Sequence, residues 1–312
     1  MRAVVYDKSS SEKLRIMEVE QQVPQEEEVL IKIAAVSLNA ADYRSMKMGI
    51  IPRRKIFGAD IAGRIEATGA KVKNFKVGDE VIGDISGCGF GGLAEYVAVP
   101  EHVLVRKPEG IPHDMAAALP MASVTALQAL RNKGNIQLGD KVLICGAGGG
   151  VGLFAVQLAK YYGAEVTAVC SENNAVLVQE LGADYVINYK LQDFNTEGKR
   201  YDLVVGINGN YPMSAYRSVL ARGARFILVG GSLSQMLHFL ISKLFLFMGG
   251  HKLHFLAARP EPKDLDFVMK LVGEGMIRII LDRAYSLEQT AEAFRYMSKG
   301  HARGKVVIRM TN

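Results

Sequence analysis

Residues Lys141 to Ala164 read KVLICGAGGGVGLFAVQLAKYYGA, and the rest of the chain is organised around them. Lys141–Cys145 is short and rich in Val, Ile and Leu, the composition of a strand buried in a parallel sheet. It leads straight into Gly146-Ala147-Gly148-Gly149-Gly150-Val151-Gly152. From there the apolar residues Val151, Phe154, Ala155, Leu158 and Ala159 recur at steps of three and four, so a helix follows. Gly163 is its natural stop.

Strand, glycine turn and helix in that order form a phosphate cradle. Glycines remove the Cβ atoms that would hold a pyrophosphate off the backbone, and the helix start offers N–H groups and the positive end of its dipole. Glycine turns also serve structure alone, but the strand before and the helix after supply the context that favours a ligand. The spacing Gly146-x-x-Gly149-x-x-Gly152 is a variant of the dinucleotide fingerprint. It makes Gly146, Gly149, Gly150, Val151 and Gly152 the candidate phosphate contacts.

The chain has 312 residues, which predicts two domains. Hydrophobic residues at 49% and charged residues at 22% describe an ordinary globular protein. The net charge of +6 is modest and spread along the chain. Arg53-Arg54-Lys55 and the Lys71/Lys73/Lys76 group are small clusters that read as solvated loops. A nucleic-acid partner, which wants a longer basic stripe with aromatics, is not expected. Cys88, Cys145 and Cys170 have no paired spacing, so no disulfide framework is implied and a reducing, cytoplasmic setting is expected. Met1–Tyr6 reads as a strand that begins at once, without a secretory signal. The apolar stretch 233–248 is shorter than the ~20 residues of a spanning helix and carries His238 and Lys243. It reads as a buried or interface helix, not a membrane span.

Residues 1–112 show short apolar or β-branched runs (Val29–Ile33, Ile61–Thr68, Glu80–Gly83, Glu95–Val99) separated by turns, an all-β half resembling a barrel. Around Asp114 the texture changes to helices at Met115–Ala118 and Val124–Leu130, interrupted at Pro120. After the glycine element come strands at Glu165–Cys170, Tyr185–Asn188, Tyr201–Val205 and Ala224–Val229, with a helix at Val176–Leu181. Strands alternating with helices argue an α/β unit with a doubly wound parallel sheet. From Phe255 the chain is mixed: helices near Asp264–Val272 and Leu287–Ser298, then a last strand, Lys305–Met310.

Val77-Gly78-Asp79-Glu80-Val81, the glycine loop, Leu181-Gly182-Ala183-Asp184 and the ending His301-Ala302-Arg303-Gly304-Lys305-Val306-Val307 together resemble the medium-chain dehydrogenase/reductase (MDR) superfamily. Within it the chain is similar to the zinc-free quinone oxidoreductase branch, whose members reduce quinones or activated C=C bonds with NADPH. The resemblance runs over essentially the whole length. It implies a GroES-like catalytic domain built from 1–112 and 256–312, a Rossmann dinucleotide-binding domain at 113–255, and an active site in the cleft between them. It also implies a homodimer paired through Rossmann edges. Many relatives carry the looser label of alcohol dehydrogenase.

Catalytic zinc wants about three N, S or O ligands and an open position. The positions matching the ligands of zinc-dependent relatives are Asn39, Ala59 and Met121, none a good ligand, so no zinc is expected. Without a metal, hydrogen bonds must polarise the acceptor carbonyl. The segment Ser37–Arg44 sits where the superfamily places groups facing the substrate, and makes Asn39 and Tyr43 the catalytic candidates. Asn39 can donate through its amide and Tyr43 through its hydroxyl, although a phenol is a reluctant acid. The structural alternative is an Asn-x-x-Asp turn with Tyr43 as packing. The resemblance further places Thr125, Phe255 and Leu256 near the nicotinamide, Gly230 at the cofactor, and Arg303 at a phosphate or substrate oxygen.

A fold of this type selects NAD by an acid at the end of the second strand. Here the strand ends Val169-Cys170-Ser171-Glu172-Asn173-Asn174, with neutral terminal positions that leave room for a 2′-phosphate. NADPH is expected, with Ser171, Asn174 and Tyr189 lining the adenosine phosphate. Glu172, one step further on, leaves NADH open. The function expected is reduction of a quinone or α,β-unsaturated carbonyl. The alternatives are NAD(P)-dependent alcohol or aldehyde redox chemistry, and a nucleotide-binding protein with little turnover.

Overall fold

A computed structural model of the chain describes all residues except 197, 209–210, 232–238, 240–249, 301 and 311–312. From the N-terminus come β1 (Arg2–Tyr6), β2 (Leu14–Glu18), β3 (Glu28–Leu38), α1 (Ala40–Met48), β4 (Asp60–Thr68), β5 (Glu80–Asp84), β6 (Tyr96–Pro100) and β7 (Leu104–Arg106). Then follow α2 (His113–Ala117), α3 (Pro120–Leu127), β8 (Lys141–Cys145), α4 (Gly150–Tyr161), β9 (Glu165–Cys170), α5 (Glu172–Glu180), β10 (Tyr185–Asn188) and β11 (Tyr201–Ile207). The chain closes with α6 (Met213–Ser218), β12 (Leu220–Val229), β13 (Lys252–Leu256), α7 (Pro262–Gly273), β14 (Leu281–Ser286), α8 (Thr290–Ser298) and β15 (Lys305–Arg309). Among the described residues no helix is long and apolar enough to cross a membrane. The apolar stretch 233–248 lies outside the described residues apart from Phe239.

Two compact units emerge: residues 1–124, 260–273 and 279–312 form one, residues 125–259 and 274–278 the other. These borders sit beyond the 112/113 and 255/256 divisions read from the sequence, for local reasons. The helix α2 packs on β3 and β4 and so stays with the first unit. The amide of Gln128 donates to the Arg259 carbonyl at 3.0 Å and accepts from the Arg259 N–H at 3.1 Å, which keeps Arg259 in the second.

The first unit is β-rich. Its seven-stranded sheet runs β14-β15-β3-β4-β5-β7, with β6 also paired to β3. β15, from the chain's end, lies antiparallel to β3, so both termini build one sheet. β1 and β2 form a separate antiparallel pair. The core centres on Phe57, whose ring meets those of Tyr6, Phe90 and Phe294 edge-on at 6.4, 6.3 and 6.4 Å.

The second unit holds a six-stranded parallel sheet in the order β10-β9-β8-β11-β12-β13. β8 and β9 each begin on an exposed residue and are buried thereafter, as a strand covered on both faces must be. The glycine turn leaves β8 where the strand order reverses, beside the carboxyl ends of β9 and β11. In open α/β sheets that is where ligands bind.

α4 is buried more widely than its apolar stripe predicts: every residue from Gly152 to Ala159 is covered. Its one polar side chain there, Gln157, donates to the Arg278 carbonyl at 3.1 Å and accepts from the Arg278 N–H at 2.7 Å. Arg278, in the returning segment 274–278, thereby meets the helix at a residue that the apolar stripe leaves out.

Candidate active site

Gly146 opens the glycine turn with φ +83°, a backbone state that side chains resist. Its N–H and that of Ala147 both donate to the Val169 carbonyl at 3.1 Å, which fixes the turn across the end of β9. The other glycines divide by cause. A Cβ on Gly152 would collide with the Gly146 carbonyl and Ala147 backbone, so glycine there is demanded by packing. A Cβ on Gly149 would meet only the Gly146 oxygen, at 3.8 Å, and its φ of −89° suits any residue. Packing therefore gives no reason for glycine at 149, whereas close approach of a ligand does. Gly149 is also the N-cap of α4, with no capping side chain over the N–H groups of Gly150, Val151 and Gly152.

Ser171 caps α5 without a side-chain hydrogen bond, and Glu172 follows as an exposed acid in the first turn. The buried Asn174 lies against Gly148; its Nδ2 is 3.4 Å from Ser171 Oγ, and its Oδ1 has no partner. A buried acceptor left unpaired is costly unless a ligand or water meets it. Tyr189 is exposed just past β10, its N–H on the Cys170 carbonyl at 3.2 Å. Gly230 follows β12 with φ +64°, and the half-exposed Phe255 and buried Leu256 end β13, level with Val229. The parallel sheet thus gathers the glycine turn, Ser171, Asn174, Gly230, Phe255 and Leu256 along one edge. These residues fit a dinucleotide: an open cradle at Gly149, a bare helix start, and an unpaired amide oxygen beside them. Thr125 is buried where the second unit begins.

The remaining candidates, Asn39, Tyr43 and Arg303, belong to the first unit. Asn39 is the N-cap of α1, a nine-residue helix closed by Gly49. Its backbone N–H donates to Asp42 Oδ2 at 2.8 Å, while Asp42 Oδ1 accepts the Gly58 N–H at 3.0 Å. The Asn39 amide donates to Asp60 Oδ2 at 2.8 Å and to the Ser37 carbonyl at 3.4 Å. Both amide hydrogens therefore face internal acceptors. Its Oδ1 accepts from the Lys305 ammonium at 2.6 Å, which also stands 3.5 Å from Asp60 Oδ2. Asp60 Oδ1 takes the Met121 N–H at 2.9 Å. Tyr43, on α1, is half-buried against the core, with the Arg44 guanidinium 5.8 Å from its ring centre. Arg303 is exposed, its backbone N–H on Asp282 Oδ2 at 2.9 Å.

Asp42, Asp60, Asp84 and Lys305 are all buried, three carboxyls around one ammonium. Burial raises the Asp60 carboxyl against the pull of Lys305, and pushes the Asp42 carboxyl up to about 6 against two backbone N–H donors. Burial also raises Asp84 and lowers Lys305. The positions matching the zinc ligands of relatives, Asn39, Ala59 and Met121, adjoin this network, since Asp60 bonds the Asn39 amide and the Met121 N–H. Asn39 spends its oxygen on an ammonium, Ala59 offers only a methyl, and Lys305 adds a positive charge, so these residues do not fit a metal cation. The partnership of Asp60 and Lys305 was missed in the sequence. The available signal was a charge at the head of each of two buried runs, Asp60-Ile61-Ala62 and Lys305-Val306-Val307-Ile308, of opposite sign.

Comparison with known proteins supplies the family. Residues 25–109 match the model of the alcohol dehydrogenase GroES-like domain, and residues 181–308 match that of a zinc-binding dehydrogenase domain. The chloroplast envelope quinone oxidoreductase homolog of Arabidopsis thaliana is 36% identical, covering 91% of this chain and 90% of that protein. The mitochondrial NAD(P)H oxidoreductase RTN4IP1 of Danio rerio is 31% identical, covering 90% of this chain and 83% of its own length. The solved structure of the quinone oxidoreductase from Coxiella burnetii superposes with a TM-score of 0.90 at 28% identity, over 100% of this chain and 99% of that one. Sheet order, glycine turn and these matches agree, and the chain belongs to the medium-chain dehydrogenase/reductase superfamily, in its quinone oxidoreductase-like branch.

Proposed function

We propose that the protein is an NADPH-dependent, zinc-independent oxidoreductase that passes hydride to a quinone or another α,β-unsaturated carbonyl. The observation that carries this reading is Gly149 at the bare start of α4, a glycine where a Cβ would meet nothing nearer than the Gly146 oxygen at 3.8 Å. When bound, the dinucleotide supplies a hydride from its nicotinamide ring. The chain supplies binding, orientation and electrostatics. The N–H groups of Gly150, Val151 and Gly152 hold the pyrophosphate with the helix dipole behind them. Ser171, Asn174 and Tyr189 receive the adenosine ribose and its phosphate. Thr125, Gly230, Phe255 and Leu256 receive the nicotinamide end, and Arg303 a phosphate or substrate oxygen.

On the acceptor side the carbonyl oxygen gains charge as hydride arrives, and a hydrogen-bond donor must meet it. Tyr43 is the donor assigned, through its hydroxyl, which can pass on the proton that completes the reduction. Asn39 serves by position, since its amide hydrogens are engaged by Asp60 and Ser37: it caps the helix that carries Tyr43. NADH is the second reading, favoured by the exposed Glu172 and by the unpaired Asn174 Oδ1, an acceptor for a ribose hydroxyl that a 2′-phosphate lacks. Three free cysteines support a reducing compartment such as the cytoplasm, although the named relatives are chloroplast and mitochondrial proteins. A homodimer belongs to the same reading.

The test is oxidation of NADPH and NADH with a naphthoquinone, an alkenal and a simple aldehyde, with and without a chelator. Turnover of quinone or alkenal, faster with NADPH and indifferent to chelation, is the expected result. Turnover of the aldehyde alone would establish carbonyl redox chemistry instead. Cofactor binding without turnover of any acceptor would mark a nucleotide-binding protein.

A further inference from the structure

β3 lies between β15 and β4, and its last residue, Leu38, is followed by Asn39, the N-cap of α1. Each flanking strand sends one side chain to that cap. Lys305, the first residue of β15, donates from its ammonium to Asn39 Oδ1 at 2.6 Å and to the Leu38 carbonyl at 3.4 Å. Asp60, the first residue of β4, accepts from the Asn39 amide nitrogen at 2.8 Å. An ammonium only donates, so the amide has one orientation: its oxygen faces Lys305 and its nitrogen Asp60.

α1 depends on that grip. It has nine residues, and its only buried one is Asp42. Tyr43 and Met46 lean on the core half-buried. Asp42 strengthens the same end, accepting the Asn39 N–H at 2.8 Å and the Gly58 N–H at 3.0 Å. A helix this short has little stability of its own, so where its start is held decides where Tyr43, the residue after Asp42, is placed. Stability alone does not account for the charges. A buried ion pair costs desolvation, and well-packed apolar residues of similar volume commonly do as well or better. What apolar residues cannot do is orient an amide.

We propose that Lys305 is a positioning residue for the reduction: through the Asn39 amide it fixes the start of α1, and with it the place from which the Tyr43 phenol gives the acceptor oxygen the proton that balances the hydride. This role rests on the reading of Tyr43 as the proton donor. Lys305 acts at a distance, its side chain 4% exposed and its ammonium placed among Asn39, Leu38 and Asp60. A reacting group displaced by about 1 Å loses on the order of a hundredfold in rate. Loosening the cap therefore shows in kcat. Dinucleotide binding, which belongs to the glycine turn of the second unit, is left as it was.

The test is NADPH-dependent turnover of a naphthoquinone and an alkenal by the native chain, by Tyr43→Phe, by Lys305→Met paired with Asp60→Asn, and by all three substitutions together. Pairing the second two removes the charge that Lys305→Met alone would orphan, and urea unfolding checks that the midpoint stays close to that of the native chain. Tyr43→Phe is expected to lower kcat about a hundredfold. The Lys305/Asp60 pair lowers it about tenfold or more, with NADPH affinity by fluorescence titration unchanged. All three together fall no further than Tyr43→Phe alone, because the pair acts only through Tyr43. Asn39→Ala, which leaves Lys305 facing Asp60, reaches the same loss by a second route and serves if the pair fails to fold. The proposal is overturned, with the reductase reading intact, if the pair or Asn39→Ala turns over like the native chain. It is equally overturned if the losses multiply to about a thousandfold, since Lys305 would then act on something other than Tyr43. Normal turnover by Tyr43→Phe overturns it by removing the donor. A native chain that reduces neither acceptor ends the reductase reading, and the role of Lys305 with it.

Discussion

At the scale of single residues, the glycine turn separates two causes that one letter conceals. Gly152 is glycine because the Gly146 carbonyl and the Ala147 backbone leave no room for a methyl group. Gly149 is glycine although a methyl group would fit. Gly152→Ala is therefore expected to cost stability, about 3 kcal/mol by forced backbone movement, in urea unfolding. Gly149→Ala costs about 1 kcal/mol or less as a cap change, but weakens NADPH binding about tenfold by fluorescence titration. Equal affinity in the native chain and Gly149→Ala would remove the ligand reading of the turn.

At the scale of elements, the start of α1, the head of β4 and the head of β15 are locked by one buried group of charges. Lys305 bonds Asn39 and faces Asp60, and Asp42 ties Asn39 to Gly58. Lys305→Met leaves Asp60 buried without its cation and is expected to destabilise by about 3–5 kcal/mol, as broken buried pairs do. Adding Asp60→Asn recovers most of the loss, because the orphaned charge goes with it. A double-mutant cycle in urea reads this directly. Losses that simply add would show that the two residues do not interact. α1 itself was read from sequence only as a stretch of possible substrate contacts. Its residues lack an apolar stripe, and its start is written in the Asn39–Asp42 capping pair.

At the scale of the whole molecule, those carboxyls set a pH response. Burial raises both Asp60 and Asp42 in the folded chain above an unfolded aspartate near ~4, Asp42 to about 6. Folding therefore retains protons that the unfolded chain has released. The stability tied to Asp42 is complete below about pH 4 and is lost as pH rises through 6. From Asp42 alone, unfolding free energy is expected to fall by about 1 kcal/mol from pH 5 to 8, and Asp42→Asn flattens that slope. A native chain whose stability is constant or rising across this window would mean that burial does not hold these carboxyls protonated.

What sequence determined by itself was local or periodic. The β8–glycine–α4 unit, the limits of β9 and β10, and the alternation that makes a parallel sheet all follow from composition and spacing, since neighbours along the chain fix them. The cradle candidates could be named from sequence as well, because a glycine turn is contiguous. The tertiary structure alone decided which charges meet: Asp60 and Lys305 stand 245 positions apart in the chain (305 − 60), and only the pairing of β15 with β3, beside β4, brings them together. It alone decided that Gln157 reaches Arg278 and that Asn39 spends its amide inside the protein. Each is a matter of what a folded chain lays against a side chain, and no window of sequence contains both partners.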